Sequence, residues 1–397
     1  MEDRHTNADD GWMVKARRIT GSSTWPRCSF YGVFDGHGGS RVASVASSTL
    51  WKNVQEALAV KLCGGGQMPP LDPEPSRVGR VGAAGGTAAL RAAAGAAAAG
   101  FASGGREEGA PAAAAPSSSS SSAALPSASA ADSTASAPAA APVFTGTLPT
   151  TDELQELLHR AFDNTETEIL NQAQRGRWED GCTAVCVLLF DQLMVVGNLG
   201  DSRAVLCSDG KAVRLSEDHK PNSKAELARI NAAGGFVKTI MGIARLNGDL
   251  SLSRAFGDQS FKKPAKPNRG ASPPPRSPPP RGFQRTMDVG GEEATAASSA
   301  LGASLRLPKY VRDGPLSSIP DVTVRPLDPA DEFIILACDG VWDVFSDDVA
   351  VKHVQTGLKE SRGNPQMAGE YLVDKVLRSA RCTDNVSVIV VLMRWGG

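Results

Sequence analysis

The chain has 397 residues, a formal net charge of −1 and an apolar content of 41%. This length allows one large domain or two small ones, and the near-zero charge gives no general attraction to nucleic acid or to an anionic membrane surface. No run reaches the ~20 apolar residues of a membrane helix, so we expect neither a nucleic-acid partner nor a membrane span.

The cysteine pattern predicts a reducing compartment. The seven cysteines form no CxxC pair, and several lie inside apolar runs. Such cysteines are typical of buried, reduced thiols rather than of a disulfide framework. The first residues, Met-Glu-Asp-Arg-His, also lack the apolar core of a secretory signal peptide. We therefore predict a cytoplasmic and/or nuclear protein.

The first globular block covers residues 1–62. Its apolar run from Cys28 to Phe34 has the length and composition of a buried strand, and it leads directly into Asp35. The residues from Ser40 to Val60 then show the apolar spacing of a helix. The block therefore predicts a strand, an acidic turn and a helix.

Residues 64–147 have a different composition. They consist mainly of alanine, glycine, serine and proline, and they include the serine run from Ser117 to Ser122. Such a segment cannot bury enough apolar area to offset the entropy that ordering costs. We expect a disordered insertion here.

The second globular block, residues 148–263, mixes helices and hairpins. A helix is predicted from Thr151 to Ala173, and a shorter one from Asn222 to Ala232. Between them, Asp191-Gln192 and Asp209-Gly210 separate pairs of apolar runs, as the turns of β-hairpins do. Hairpins imply antiparallel sheets, with the helices packed outside them.

A second anomalous segment covers residues 262–316. Its first half, Lys262 to Arg285, carries seven basic residues, no acidic ones and two Pro-Pro-Pro clusters. We predict a disordered, basic, proline-rich insertion that acts as a solvated linker. A nuclear signal and a docking surface for an anionic partner stay open as alternatives.

The third globular block, residues 317–397, again joins a strand to an acid. The apolar run that starts at Phe333 ends at Asp339. Two helical patterns follow, from Ser346 to Thr356 and from Pro365 to Ser379, before a final strand from Val386 to Leu392.

Aspartates at strand ends are the most informative feature of the chain. Asp35, Asp201 and Asp339 follow apolar runs, and Asp384 precedes the last one. A carboxylate beside a buried strand is costly unless its charge is compensated. If these strand ends converge, a bound cation is the simplest compensation, and all-oxygen ligands favour Mg²⁺ or Mn²⁺. The pattern predicts a metal-dependent enzyme.

Seven motifs, in this order, resemble those of the metal-dependent protein phosphatases of the protein phosphatase 2C type. They are Met1-Glu2-Asp3, Phe34-Asp35-Gly36-His37-Gly38-Gly39, Gly181-Cys182-Thr183-Ala184, Gly197-Asn198-Leu199-Gly200-Asp201-Ser202-Arg203, Leu252-Ser253-Arg254-Ala255-Phe256-Gly257-Asp258, Ala337-Cys338-Asp339-Gly340-Val341-Trp342-Asp343 and Asp384-Asn385.

The resemblance implies an α+β fold, a four-layer α-β-β-α sandwich of two antiparallel sheets flanked by helices. It covers the three globular blocks, 1–62, 148–263 and 317–397, as one phosphatase domain, and neither insertion. The family normally has a further strand ahead of the first motif, with an arginine that grips the substrate phosphate. No residue precedes Met1 here, so we expect the sequence to be an incomplete record of a longer protein.

The resemblance also implies the ligands of two ions, each Mg²⁺ or Mn²⁺. Asp35 would bridge both ions, and the carbonyl oxygen of Gly36 would bind one of them. Asp339 and Asp384 would bind the other ion. We expect two ions at the site, with room for a third.

Further acidic residues complete the implied site. Glu2 and Asp3 would act largely through metal-bound waters. Asp201 and Asp343 would line a looser third metal position, which they share with Asp339.

The implied reaction is hydrolysis of phosphoserine and phosphothreonine in phosphoprotein substrates by a metal-activated water. His37 would protonate the departing serine or threonine oxygen. We expect a monomer. The alternative is a catalytically weak or dead phosphatase-like scaffold, and a third option is a metal-dependent hydrolase of other phosphate esters.

Overall fold

The computed structural model describes residues 2–8, 26–62, 87–90, 148–263 and 314–394 of the chain, with only the backbone described for 87–90. These residues all belong to one compact unit.

The strands are rich in valine, isoleucine, leucine and phenylalanine, which suit a pleated, buried surface. They are β1 (Arg4–Ala8), β2 (Cys28–Phe34), β3 (Gly36–His37), β4 (Thr87–Leu90), β5 (Gly181–Cys182), β6 (Ala184–Phe190), β7 (Leu193–Leu199), β8 (Arg203–Ser208), β9 (Lys211–Arg214), β10 (Val237–Ile240), β11 (Ile243–Leu246), β12 (Phe256–Gly257), β13 (Asp321–Pro326), β14 (Asp331–Ala337) and β15 (Val386–Leu392).

Two antiparallel sheets form the centre of the fold. One has the strand order β1-β2-β6-β7-β13 and the other the order β4-β15-β14-β8-β9. The hairpins β6–β7 and β8–β9 confirm both predicted turns. Asp191 adopts a φ of 53°, and Asp209 and Gly210 adopt 50° and 73°, the positive values that two-residue hairpin turns require.

The helices begin close to their predicted starts. They are α1 (Arg41–Leu62), α2 (Thr151–Gly176), α3 (Lys224–Ala232), α4 (Asp339–Trp342), α5 (Asp347–Glu360) and α6 (Pro365–Leu377). A capping box fixes the start of α2, because Thr150 Oγ1 accepts from the Glu153 N–H and the Glu153 side chain accepts from the Thr150 N–H.

Strand β6 shows how the layers are built. Ala184, Cys186 and Leu188 belong to an apolar cluster with helices α1 and α2. Val185 and Val187 alternate with them and pack toward the second sheet. A strand that buries both faces is a continuous apolar run in the sequence, and each fully buried valine or leucine contributes ~1.5–3 kcal/mol.

Helices α5 and α6 cover the outer face of the second sheet. Val354 of α5 and Leu372 of α6 lie in one apolar cluster with Ile335 of β14 and Val390 of β15. The order of layers is therefore helices, sheet, sheet, helices. This confirms the predicted four-layer α-β-β-α sandwich.

A smaller unit, the hairpin module, consists of helix α3 and the hairpin β10–β11. Its own apolar cluster joins Ile230 and Leu246 to Leu252, Ala255 and Leu316. The module therefore packs against the segment that leads from Leu252 to Asp258.

One short strand lies inside the first insertion. Thr87–Leu90, inside the segment 64–147 that we expected to be disordered, forms strand β4 and pairs with β15. Pairing at a sheet edge uses backbone groups and needs no particular side chains. The rest of that segment lies outside the described residues.

Residues at both edges of the second insertion pack against the folded domain. Lys262 is buried, and its Nζ lies 2.7 Å from Glu166 Oε1 and 2.7 Å from the Ala255 carbonyl oxygen. A buried ammonium is tolerated because these oxygens compensate its charge. Leu316 is likewise buried, and residues 264–313 lie outside the described part of the chain.

Among the described residues, no helix is both long and apolar enough to span a bilayer.

Candidate metal centre

Acidic side chains from four loops meet at one end of the sandwich. The ligating atoms of Asp35, Cys338 and Asp339 all lie within 4.8 Å of one another. The charge of Asp3 acts on Asp35, and that of Asp384 acts on both Asp3 and Asp339. The strand ends therefore converge, which is the condition on which the sequence analysis based a metal site.

Antiparallel pairing explains this convergence, because the end of one strand lies beside the start of its neighbour. Arg4 at the start of β1 pairs with Phe34 at the end of β2, so Asp3 comes to lie near Asp35. In the second sheet, Ala337 at the end of β14 pairs with Val388 near the start of β15, so Asp339 comes to lie near Asp384.

Two glycines allow the loops to approach closely. A Cβ on Gly36 would lie 2.7 Å from the Glu2 carbonyl oxygen, and a Cβ on Gly340 would lie 2.0 Å from the Asn385 carbonyl oxygen. Any side chain at either position would push the loops apart. The glycine after each aspartate is therefore a packing requirement of the site.

Asp3 is almost completely buried and is only half satisfied. Its Oδ2 accepts a hydrogen bond of 2.7 Å from Ser387 Oγ, whereas Oδ1 is buried without a hydrogen-bond partner. Burial raises the pKa of Asp3 above its usual value. A buried carboxylate oxygen that no protein group satisfies fits a ligand supplied from outside the chain.

The crowded carboxylates resist ionisation in the absence of a cation. Burial raises the pKa of Asp35 well above its usual value, and the charges of Asp3, Asp339 and Asp201 add to this effect. Burial and then the charge of Asp201 raise the pKa of Asp339 to about 7, against the opposing effect of Lys220. Divalent cations would remove this repulsion.

The donor set fits hard cations. Carboxylate oxygens of Asp3, Asp35, Asp339 and Asp384, together with the Gly36 carbonyl, are the ligand type that Mg²⁺ and Mn²⁺ prefer. These residues are thus able to hold such ions.

The remaining predicted residues surround this group. Asp201 is buried and acts electrostatically on Asp35 and Asp339. Asp343 is exposed, and its N–H donates to the Asp339 carbonyl oxygen at 2.8 Å. Glu2 is half-buried, and its charge acts on His37. The structure therefore has every predicted site residue at this end of the sandwich.

His37 forms a pair with Asp258, which the sequence prediction did not include among the site residues. Its Nε2 lies 2.6 Å from Asp258 Oδ2, and Asp258 is buried. Burial lowers the pKa of His37, but the hydrogen bond and charge of Asp258 outweigh burial and raise it above the usual value. Asp258 ends one of the seven motifs, so the sequence indicated that it belongs to a functional segment. Its contact with His37 could not be predicted, because 221 residues separate the two.

Asp180 holds the two halves of this pair in place. Its carboxylate accepts two hydrogen bonds from the Arg41 guanidinium and one from the Arg41 N–H, at the start of α1. Its carbonyl oxygen accepts from the Asp258 N–H at 3.0 Å. Arg41 lies just after the His37 loop, so Asp180 fixes that loop relative to Asp258.

Cys338 is a second residue that sequence reasoning missed. Its Sγ accepts from the Ser387 N–H at 3.2 Å, and it lies among the metal-ligating atoms. Burial, and then the charges of Asp35 and Asp3, raise the pKa of this thiol well above its usual value. The sequence did offer one indication of its role, since Cys338 directly precedes the predicted ligand Asp339.

Lys220 is the third missed residue, since its Nζ contacts the buried Asp201 carboxylate. Its signal was the His219-Lys220-Pro221 segment between two of the motifs.

Comparison with known proteins agrees with this fold and site. The family profile described as Protein phosphatase 2C matches residues 130–386. The chain belongs to the protein phosphatase 2C family, as its motifs predicted.

Individual relatives are similar over about half of their own length. The chain is 33% identical over 243 residues to Probable protein phosphatase 2C 22 of Arabidopsis thaliana, which covers 61% of this chain and 50% of the relative. It is 33% identical over 247 residues to Protein phosphatase 2C homolog 2 of Schizosaccharomyces pombe, covering 61% and 54%. The chain thus spans about half the length of these curated relatives.

Solved structures share the fold at low sequence identity. The structure of a C. elegans sex determining protein aligns with a TM-score of 0.56 and 18% identity, over 99% of this chain and 61% of that one. The crystal structure of a phosphatase from a pathogenic strain of Toxoplasma gondii aligns with a TM-score of 0.50 and 18% identity, over 92% and 85%. Both similarities concern the fold.

Proposed function

We propose that this chain is a metal-dependent phosphatase of phosphoserine and phosphothreonine in proteins. The observation that carries the proposal is the group of crowded carboxylates of Asp3, Asp35 and Asp339 beside the His37–Asp258 pair. Membership of the protein phosphatase 2C family supports the same reaction.

The metal ligands in this proposal are Asp35, Asp339 and Asp384 with the Gly36 carbonyl oxygen, which would hold two ions of Mg²⁺ or Mn²⁺, and Asp3 would act largely through metal-bound water. When bound, such ions activate water and neutralise charge on phosphoryl oxygens. The raised pKa of Asp35 supports this assignment, because the crowded carboxylate needs a cationic partner.

A looser third ion would use Asp201 and Asp343 together with Asp339. Glu2 would act through ordered water, in keeping with its half-buried side chain. These roles follow the pattern that the sequence motifs imply, and the electrostatic coupling of Asp201 to Asp339 supports them.

His37 would donate a proton to the departing serine or threonine oxygen. A protonated imidazole is required for this step. Asp258 supplies it by stabilising the imidazolium and by holding Nε2 at a hydrogen-bond distance of 2.6 Å. The other ring nitrogen, Nδ1, is then available to face the substrate.

A cysteine nucleophile is not favoured among the described residues of the site. Cys182 and Cys338 are buried, and burial together with the nearby Asp35 and Asp3 raises the pKa of both thiols well above the usual value. A thiol nucleophile requires a lowered pKa. The geometry favours direct attack by water instead.

We also propose a monomer in the cytoplasm and/or nucleus. The described cysteines are all free thiols, which supports a reducing compartment.

The test is release of phosphate from a phosphothreonine peptide by the 397-residue chain, with and without Mn²⁺. Asp339→Asn is the test variant, and Asp152→Asn, an exposed aspartate of helix α2, is the matched control. We expect metal-dependent activity that the Asp339 variant loses and the Asp152 variant keeps.

Two other outcomes would contradict the proposal. A folded chain that binds Mn²⁺ but releases no phosphate from any substrate would favour the scaffold alternative. Activity on small phosphate esters but on no phosphopeptide would favour a different substrate class.

A further inference from the structure

We propose that Lys220 is a built-in counter-ion of Asp201 that competes with a divalent cation for the third metal position. In this chain, two ions would bind tightly, and a third would bind only by displacing the Lys220 ammonium. The inference rests on the metal centre of the proposed function.

The backbone around Lys220 is fixed opposite Asp201. The Gly200 N–H donates to His219 Nδ1 at 3.0 Å, and the His219 N–H donates to the Gly200 carbonyl oxygen at 2.9 Å. Ser253 Oγ holds the same segment by donating to the His219 carbonyl oxygen. Residues 200–201 and 219–220 therefore form a rigid frame in which Lys220 faces Asp201.

The Lys220 ammonium meets the acids of the third metal position. Its Nζ contacts Asp201 Oδ2. The charges of Asp339 and Asp343 also act on the Lys220 ammonium. These three aspartates are the ones that would line the third position, so a cation of the chain itself already serves them.

Arg203, the other nearby cation, is engaged elsewhere. Its guanidinium donates to Asp218 and Asp347, and it lies 5.1 Å from the centre of the Trp342 ring. Arg203 is therefore paired with a different group of acids, and Lys220 forms the ion pair with Asp201.

The two partners differ in their freedom to move. The Asp201 side chain is 3% exposed, whereas that of Lys220 is 37% exposed. Lysine carries its charge on a flexible four-carbon stem, so Lys220 can turn toward solvent while Asp201 stays in place. A divalent ion could not share the position with the ammonium, because like charges at contact distance repel.

The experiment is isothermal titration calorimetry of Mn²⁺ into the full chain. For wild type we expect two tight sites and a weak third. In Lys220→Met the third site should bind on the order of tenfold more tightly, which corresponds to the loss of one competing ion pair. The exposed Lys211, changed to Met, is the matched control and should behave as wild type.

Thermal unfolding gives a readout independent of stoichiometry. Without metal, Lys220→Met leaves the buried Asp201 unpaired and should unfold at a lower temperature. Mn²⁺ should restore more stability to this variant than to wild type. Lys220→Arg keeps the charge and should keep the third site weak, and Lys220→Gln replaces the Met variant if that one does not fold.

Three results would overturn the inference. The Met variant could bind the third ion as weakly as wild type, or it could lose an ion, which would make Lys220 a support of the site rather than a competitor. Alternatively, wild type could bind no Mn²⁺ at all, in which case the metal centre itself would be wrong.

Discussion

Two buried acidic clusters in this molecule differ in what neutralises their charge. At the base of the hairpin module, Glu226 accepts hydrogen bonds from Arg229 and Arg254. Burial alone would raise the pKa of Glu226, but the two arginines outweigh it and lower the pKa to about 2. In the metal centre, burial and the charge of Asp201 raise the pKa of Asp339 to about 7.

The difference separates a structural cluster from a functional one. Arg254, which donates to Glu226, belongs to the same segment as Asp258, the partner of His37. In the Glu226 cluster the cations are arginine side chains of the protein itself, and the cluster links the hairpin module to the sandwich. The Asp339 cluster leaves most of its negative charge for cations from solution, which makes it suited to catalysis.

The largest effect should come from breaking the metal centre at Asp35. The charges of Asp3, Asp339 and Asp201 all act on Asp35, and under the proposed function Asp35 would be a ligand of both ions. Asp35→Asn should lower turnover on a phosphothreonine peptide by about 10²–10³-fold and weaken Mn²⁺ binding in calorimetry. Unchanged Mn²⁺ affinity would argue against a bridging role.

Glu226→Gln should destabilise the fold by ~3 kcal/mol at pH 7, measured by urea unfolding. The folded-state pKa of Glu226 is lowered from 4.5 to about 2, so its stabilisation is present above pH 4.5. It should fade as the pH falls from 4.5 to about 2.

The control for this prediction is Glu217→Gln, because the Glu217 side chain is 78% exposed and its contact with Arg214 is 3.7 Å long. Such a surface pair contributes ~0–1 kcal/mol. Equal effects of the two substitutions would contradict the assignment of Glu226 as a structural anchor.

Asp258→Asn should act on proton transfer rather than on metal binding. It removes the charge that stabilises protonated His37. Turnover on a phosphothreonine peptide should fall by about 10–100-fold. Turnover of a nitrophenyl phosphate should fall much less, because its leaving group needs no proton, and Mn²⁺ affinity should not change.

The matched comparison for this pair is His37→Gln. Since the two residues act as one unit, the double variant should lose little more than the more affected single variant. Additive losses, or equal losses on both substrates, would show that Asp258 has a different role.

The smallest effect is expected at Asp321. Its side chain is 54% exposed. A hydrogen bond from His219, with the charge of Arg254, lowers its pKa below the usual value despite burial. Because solvent screens such a pair, Asp321→Asn should cost at most ~1 kcal/mol, measured as for Glu226. A loss of stability as large as that of Glu226→Gln would show that solvent exposure does not determine how much each acid contributes to stability.

Much of the metal centre could be predicted from the sequence. Buried strands read as apolar runs, so Asp35, Asp339 and Asp384 stood out at strand ends, and antiparallel pairing was enough to bring them together. The hairpins were visible for a similar local reason, because Asp209-Gly210 favours positive φ.

Contacts between distant parts of the chain could not be predicted. His37 meets Asp258, and Lys220 meets Asp201, only because separate loops share one end of the sandwich. Lys262 begins a segment whose composition is typical of a linker. Its buried contact with Glu166 depends on the position of helix α2, which the local sequence does not indicate. Strand β4 lies in a segment rich in alanine and glycine, and it pairs with β15 at the other end of the chain.

The most direct test of the difference between the two acidic clusters is thermal unfolding of wild type and Asp339→Asn with and without Mn²⁺. Without metal, we predict that Asp339→Asn is the more stable protein by ~1 kcal/mol, a shift of a few degrees, because one crowded charge is removed. With Mn²⁺, we predict a large stabilisation of wild type and a much smaller one of the variant. A wild-type chain that does not respond to Mn²⁺, or a metal-free variant less stable than wild type, would contradict the account.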